Sequence, residues 1–159
     1  MNLVSSKTQS LHGEVVCPGD KSVSQRIIII GSLLNCDMQV NGFLNAHDPI
    51  ATANALKAIG AQISINGNEV MLKKRENLFN DSEHDLNLGN SGTGSRLLLG
   101  LISGLGLKST IIGDKSLQKR PMSRVIEPLK MMGAELSSNE GKLPIKTLGS
   151  KILDNFEYE

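Results

Sequence analysis

Tryptophan is absent from the 159 residues, and aromatic side chains of every kind amount to 3%. Proteins that hold single-stranded nucleic acid stack bases on aromatic rings, and one Tyr and three Phe offer little to stack on. An excess of either charge is missing too. The 17 Lys and Arg face 16 Asp and Glu, a formal net charge of +1, so there is no general pull toward nucleic acid or an anionic membrane. Any basic site must come from local clustering. Cysteine is scarce: Cys17 and Cys36 lie far apart with no His nearby. They are expected to be buried apolar thiols in a reducing cytosol rather than a disulfide or a metal pair. No apolar run approaches the ~18 residues that span a bilayer, and the first residues lack a signal-peptide core. The cytoplasm is the expected compartment. No metal-ligand set is visible, and His12, His47 and His84 share no useful spacing, so surface or packing roles are expected. What remains, 39% hydrophobic and 21% charged, suits an ordinary globular domain.

The chain is written twice. Gly19-Asp20-Lys21-Ser22-Val23-Ser24-Gln25-Arg26 runs into an apolar stretch beginning at Ile27, and Gly89-Asn90-Ser91-Gly92-Thr93-Gly94-Ser95-Arg96 runs into one beginning at Leu97. Each copy has a small polar turn and an Arg seven residues after its first Gly. A second pair, Leu56-Lys57-Ala58-Ile59-Gly60-Ala61 and Leu129-Lys130-Met131-Met132-Gly133-Ala134, repeats at nearly the same offset. Two concordant matches mark a duplication.

Each copy reads as βαβαββ. In the first, over residues 13–74, a strand at 13–17 precedes a helix at 22–34 and a strand at 38–42. Asp48 is expected to cap a second helix, with Pro49 at its first position and Gly60 at its end. Ile50, Ala53, Leu56 and Ile59 would form its buried stripe. A hairpin follows, with Ile63 and Ile65 on one strand, a turn at Asn66-Gly67, and Val70 and Leu72 on the other. The second copy, over 85–146, repeats the order: strand 86–88, helix 91–104, strand 109–112, helix 122–132 and a hairpin turning at Glu140-Gly141. In its last helix Met122, Val125, Ile126 and Leu129 form the inner face. Residues 147–159 hold only the start of a third copy. The first helix of each copy is apolar nearly all round and needs cover on several sides. Two units would bury these helices only partly, so the expected fold is α+β with two of three units of a domain.

Both polar turns open a helix, where unpaired N–H groups and the macrodipole attract phosphates and carboxylates. The first turn adds Lys21, the hydroxyls of Ser22 and Ser24, and Arg26; the second adds Asn90, Thr93 and Arg96. A third basic cluster, from Lys115 to Arg124, contains Lys119, Arg120 and Pro121. Arg grips carboxylate or phosphate with two parallel hydrogen bonds. Taken singly, each turn also reads as a plain helix cap, and Arg96 reads equally as a brace for its own repeat. Lys21-Ser22 lacks the upstream Gly of a P-loop, and Gly89 to Gly94 fits no dinucleotide fingerprint.

Three segments, Pro18 to Arg26, Gly89 to Arg96 and Asp114-Lys115-Ser116-Leu117-Gln118-Lys119-Arg120-Pro121-Met122, resemble signature segments of the 5-enolpyruvylshikimate-3-phosphate synthases. They stand in that family's order and spacing, and the likeness runs from about residue 5 to 148. The resemblance implies two domains of three βαβαββ units, with helix N-termini facing the cleft between them. It implies transfer of the enolpyruvyl group of phosphoenolpyruvate to the 5-hydroxyl of shikimate 3-phosphate, with no metal or organic cofactor. Carried over by position, Lys21, Ser22 and Arg26 would contact shikimate 3-phosphate, and Lys21, Gly92 and Arg120 would contact phosphoenolpyruvate. Asn90, Thr93 and Arg96 would support them. A Cβ at Gly92 would intrude on the small substrate, and the inhibitor glyphosate would occupy the same place. The resemblance covers the N-terminal part of such an enzyme. The catalytic acid–base residues would lie in the remainder, Asp48 being a helix cap and Asp114 a loop residue, and this chain alone would be inactive. Two other readings stand beside it: a fragment of the sister transferase acting on a UDP-sugar, and a non-catalytic βαβαββ binding module, such as one acting on RNA ends.

Overall fold

The computed structural model describes residues 2–74 and 76–150. Helix α1 (Lys21–Leu33) opens on Asp20, whose side chain accepts a hydrogen bond from the Val23 amide at 2.7 Å. Strand β1 (Met38–Asn41), helix α2 (His47–Ala58) and strands β2 (Gln62–Asn66) and β3 (Glu69–Lys73) complete the first unit. The second unit runs β4 (Leu86–Asn87), α3 (Gly92–Leu105), β5 (Lys108–Ile112), a short 3-10 turn (Leu117–Lys119), α4 (Ser123–Met131), β6 (Leu136–Asn139) and β7 (Lys142–Leu148).

The duplication is visible in the sheets. β1, β3 and β2 form one antiparallel sheet in that spatial order, and β5, β7 and β6 form its counterpart. β4 adds a parallel strand beside β5. The matching strand of the first unit, expected over residues 13–17, is not formed, and Leu11, Val15 and Val16 are exposed. A strand needs a neighbour to satisfy its N–H and C=O groups, and no described segment supplies one here. The first hairpin pairs Asn66 with Glu69, so its turn is Gly67-Asn68, one residue later than expected. The second turns at Glu140-Gly141 as expected, both with positive φ, the geometry that matches strand twist in a two-residue loop. β7 continues to Leu148, so residues 147 and 148 belong to the second unit. The rest of the expected third-unit start, from 151 on, lies outside the described residues.

Periodicity explains the core. Ala53, Leu56 and Ile59 on and just after α2 are buried with Ile50 partly so, as their spacing requires. α3 buries Leu98, Leu99 and Ile102, and Met122, Ile126 and Leu129 face inward around α4. Burying one such Leu or Ile stabilises the fold by about 1.5–3 kcal/mol. The all-round apolar character of α1 is only half used: Ile28 is fully buried, whereas Val23 is 59% and Ile30 57% exposed. With Ile27, Gly31, Leu34 and Met38 they line an open apolar hollow of about 270 Å³. Among the described residues no helix is long and apolar enough to cross a membrane.

Three local expectations need correction. α2 starts at His47 with Ala46 as its cap, which places Asp48 inside the first turn and Pro49 third. The Asp48 carboxylate still meets the helix dipole favourably, but its partner is a lysine from α1, described below. Cys17 and Cys36 are both exposed, because one lies in the uncovered leading segment and the other in the α1–β1 connection.

Asp37 and Lys73 form a surface ion pair of 2.7 Å that ties this connection to β3, and the Lys74 amide also donates to Asp37. The Lys73 hydrogen bond, then the Lys74 amide, hold the Asp37 carboxyl below its ordinary value of 3.8. Its contribution is therefore complete above pH 3.8 and lost as pH falls through the lower, folded-state value. An Asp37→Asn variant should melt slightly below the parent at pH 7, and the gap should close in strong acid. A gap unchanged between the two conditions would rule this out.

Candidate functional site

The starts of α1, α2 and α3 converge on one buried side chain, Gln25. Its Nε2 donates to Ser91 Oγ at 2.7 Å and to Thr52 Oγ1 at 3.0 Å, with the Asp48 carbonyl at 3.4 Å. Gln25 is wholly buried, and its Oε1 has no hydrogen-bond partner among the described residues. Thr52 in turn donates to the Asp48 carbonyl at 3.0 Å, and Ser91 caps α3 by accepting from the Gly94 amide at 3.2 Å. A glutamine inside an apolar helix is costly unless hydrogen-bonded. Here it fastens the two duplicated helix starts to each other and both to α2.

Around this knot the sequence-derived candidates fall into two groups. On the α1 side, Lys21 Nζ lies 3.2 Å from Asp48 Oδ2, with the lysine side chain 51% exposed. Ser22 is half-buried, and Arg26 is exposed beside the apolar hollow on the outer face of α1. Neither side chain is hydrogen-bonded to another described residue. Ser24, expected among the anion-facing hydroxyls, is buried and accepts the Leu44 amide at 2.9 Å. It holds the loop after β1 and does not face a ligand.

On the α3 side the clustering is tighter. An ideal Cβ built on Gly92 would sit 2.9 Å from Arg120 Nη1 and 3.0 Å from Arg96 Nη1. Two guanidinium groups thus flank the first residue of a helix whose N–H groups and dipole already favour an anion. Arg96 donates to the carbonyls of Gly92, at 3.1 Å, and Pro121, at 3.0 Å. That is the bracing role, drawing the Arg120-Pro121 segment against α3. Arg120 Nη2 donates to Asn90 Oδ1, and Asn90 Nδ2 donates to Asp114 Oδ2 at 2.8 Å. Thr93 is half-buried in the first turn of α3. Lys115, Lys119 and Arg124 are exposed, and no hydrogen bond links their side chains to another described residue.

Asp114 is more than a loop residue. Its Oδ1 accepts the Leu117 amide at 2.7 Å, capping the 3-10 turn. The Leu117 amide first, then the Asn90 amide, the Ser116 backbone and the Arg120 charge hold its carboxyl below the ordinary value. Sequence reasoning gave Gln25 no role of its own, and gave Asp48 and Asp114 only those of a helix cap and a loop residue. Only Gln25 carried a signal, as an uncharged polar residue in the path of an apolar helix.

A groove of about 830 Å³ runs beside this cluster, between α2 and β4. Asp48, Asp85 and Asp114 line it together with His47, Asn54 and Asn90. Three carboxylates make it unsuited to a phosphate, so the anion-favouring place is the flank at Gly92 and Arg120.

The sequence model of the EPSP synthase family (3-phosphoshikimate 1-carboxyvinyltransferase) matches residues 5–158. The 3-phosphoshikimate 1-carboxyvinyltransferase of Ruthia magnifica subsp. Calyptogena magnifica is 42% identical over 153 residues, which is 96% of this chain and 35% of that protein. The same-named protein of Thermoanaerobacter sp. (strain X514) is 39% identical over 153 residues, covering 96% of this chain and 36% of that one. An EPSP synthase structure from Acinetobacter baumannii superposes with a TM-score of 0.84 at 36% identity, over 92% of this chain and 34% of that chain. The chain therefore spans just over a third of the length of the relatives it matches. With a duplicated fold, two guanidinium groups at a helix start and a family match over nearly every residue, this chain belongs to the EPSP synthase family.

Proposed function

We propose that the chain forms part of an enzyme that transfers the enolpyruvyl group of phosphoenolpyruvate to shikimate 3-phosphate. The supporting observation is the pairing of Arg120 and Arg96 at Gly92, with the start of α1 fastened alongside through Gln25. Both substrates carry several negative charges, and bringing them together demands fixed positive charge in a preorganised site. In this reading Lys21, Ser22 and Arg26 hold shikimate 3-phosphate. Lys21, Gly92 and Arg120 hold phosphoenolpyruvate, with Asn90, Thr93 and Arg96 in support.

The chemistry is an addition followed by an elimination. The 5-hydroxyl gives up its proton as its oxygen bonds to C2 of phosphoenolpyruvate, and the electron pair of the C2–C3 double bond takes up a proton at C3, giving a tetrahedral intermediate. Loss of a proton from C3 and of inorganic phosphate from C2 then restores the double bond. The charged groups named here stabilise the carboxylate and phosphates during both steps. The proton-transfer groups lie outside this chain, and no metal or organic cofactor is required. The reaction would take place in the cytoplasm, and glyphosate would compete for the place at Gly92.

Phosphate release from phosphoenolpyruvate plus shikimate 3-phosphate tests the proposal. A polypeptide of its relatives' length that contains this chain should turn over, and residues 1–159 alone should not. Sustained turnover by the short chain would refute the division of roles. Turnover of the long form only with a UDP-sugar in place of shikimate 3-phosphate would refute the substrate assignment.

A further inference from the structure

The geometry points to Asp114 as a positioning residue that sets the direction of the Arg120 guanidinium through the amide of Asn90. This inference rests on the proposed function for its consequence in binding, though the coupling itself stands on the hydrogen-bond network alone. A carboxylate only accepts hydrogen bonds and a guanidinium only donates them. Asn90 stands between one of each, with its Nδ2 on Asp114 Oδ2 at 2.8 Å and its Oδ1 on Arg120 Nη2. Only one of the two amide orientations satisfies both neighbours. The carboxylate therefore selects it, and the selected oxygen receives Arg120. Were the amide reversed, its NH₂ would face the guanidinium and repel it.

Asp114 is itself held in place. Its other oxygen accepts the Leu117 amide at 2.7 Å, and the Asp114 amide donates to the Gly89 carbonyl at 2.8 Å. The chain of contacts thus runs from a fixed turn, through one amide, to a side chain that is otherwise exposed. An exposed Arg samples many rotamers, and restricting it in advance removes an entropic cost from ligand binding. Arg96 cannot substitute, because its two guanidinium nitrogens donate to backbone carbonyls of the scaffold, Gly92 and Pro121.

The discriminating variant is Asp114→Asn. Its Oδ1 can keep the Leu117 amide while its NH₂ faces Asn90, which forces that amide to turn over. NMR of the 15N-labelled full chain reads the outcome directly. In the parent, the Arg120 guanidinium nitrogens should be resolved by hindered rotation, and they should collapse toward averaged signals in the variant while backbone dispersion is retained. A titration with phosphoenolpyruvate on the same samples should show about a tenfold weaker Kd, with the shikimate 3-phosphate Kd within about twofold of the parent. Asp114→Ser, whose hydroxyl can cap the turn but not reach Asn90, should behave alike and covers the case in which Asp114→Asn fails to fold. Unchanged Arg120 signals in either folded variant overturn the proposal whether or not any ligand binds. Collapse of the Arg120 signals on substitution, together with binding of neither substrate by a polypeptide of the relatives' length that contains this chain, would overturn the proposed function and leave the coupling standing.

Discussion

Replacing Gly94 with alanine should remove about 3 kcal/mol of stability and lower the urea midpoint by roughly 1–2 M. The added Cβ would stand 2.5 Å from Thr52 Oγ1, 2.6 Å from Ser91 Oγ and 2.9 Å from Gln25 Nε2. None of these is the loose end of a flexible side chain. All three residues are buried, and Gln25 is hydrogen-bonded to both Thr52 and Ser91, so making room for a methyl group means breaking bonds inside the knot. A polar group left buried and unpaired costs about 1–3 kcal/mol, to which overpacking adds a similar amount. Gln25→Ala gives the complementary measurement, since it relieves the crowding while losing the links. A double variant that is no less stable than Gly94→Ala alone would show that the two changes act at one place. Equilibrium unfolding decides the matter: a Gly94→Ala midpoint within about 0.3 M of the parent would contradict the packing described here.

Gly92→Ala should have the opposite profile, with stability within about 1 kcal/mol of the parent and affinity for phosphoenolpyruvate lower by tenfold or more. Its Cβ would meet Arg120 Nη1 at 2.9 Å and Arg96 Nη1 at 3.0 Å, and next Leu117 Cδ1 at an ordinary 3.7 Å. Guanidinium groups end long side chains and can yield by a few tenths of an ångström without disturbing the core. The geometry they present to an anion does not survive the shift, because two-pronged recognition depends on both position and plane. The sequence expectation was that a methyl group would collide with the substrate. The structure adds a second mechanism, displacement of the two arginines. Shikimate 3-phosphate affinity should change little, since its expected contacts are on α1. Glyphosate should weaken in parallel with phosphoenolpyruvate. Calorimetric titration of both substrates against the variant checks the split, and equal losses for the two would argue against it.

The contrast between these glycines shows how differently two neighbours in one motif can act. Both belong to the Gly-rich turn that duplicates residues 19–26, and spacing alone does not separate them. Gly94 faces inward to α1 and α2, whereas Gly92 faces the arginines at the helix mouth.

The sequence by itself determined the duplication, the helices, the hairpins and the place of the polar turns. Those features follow from signals carried within a few residues: apolar spacing along α2 and α3, and the turn at Glu140-Gly141. The α3 cap is equally local, since Ser91 receives an amide only three residues ahead. Where local logic lacked a partner it misled. Residues 13–17 carry the β-branched Val15 and Val16 of a strand but have no edge to join among the described residues, and Asp48 has the chemistry of a cap but a lysine 27 residues away to bind. The tertiary structure alone decided which polar groups meet. Gln25 reaches Ser91 across 66 positions, Asn90 reaches Asp114 across 24, and Arg120 returns to Asn90 across 30. A hydrogen bond is satisfied by whatever stands within about 3 Å, and folding sets that neighbourhood without regard to order along the chain.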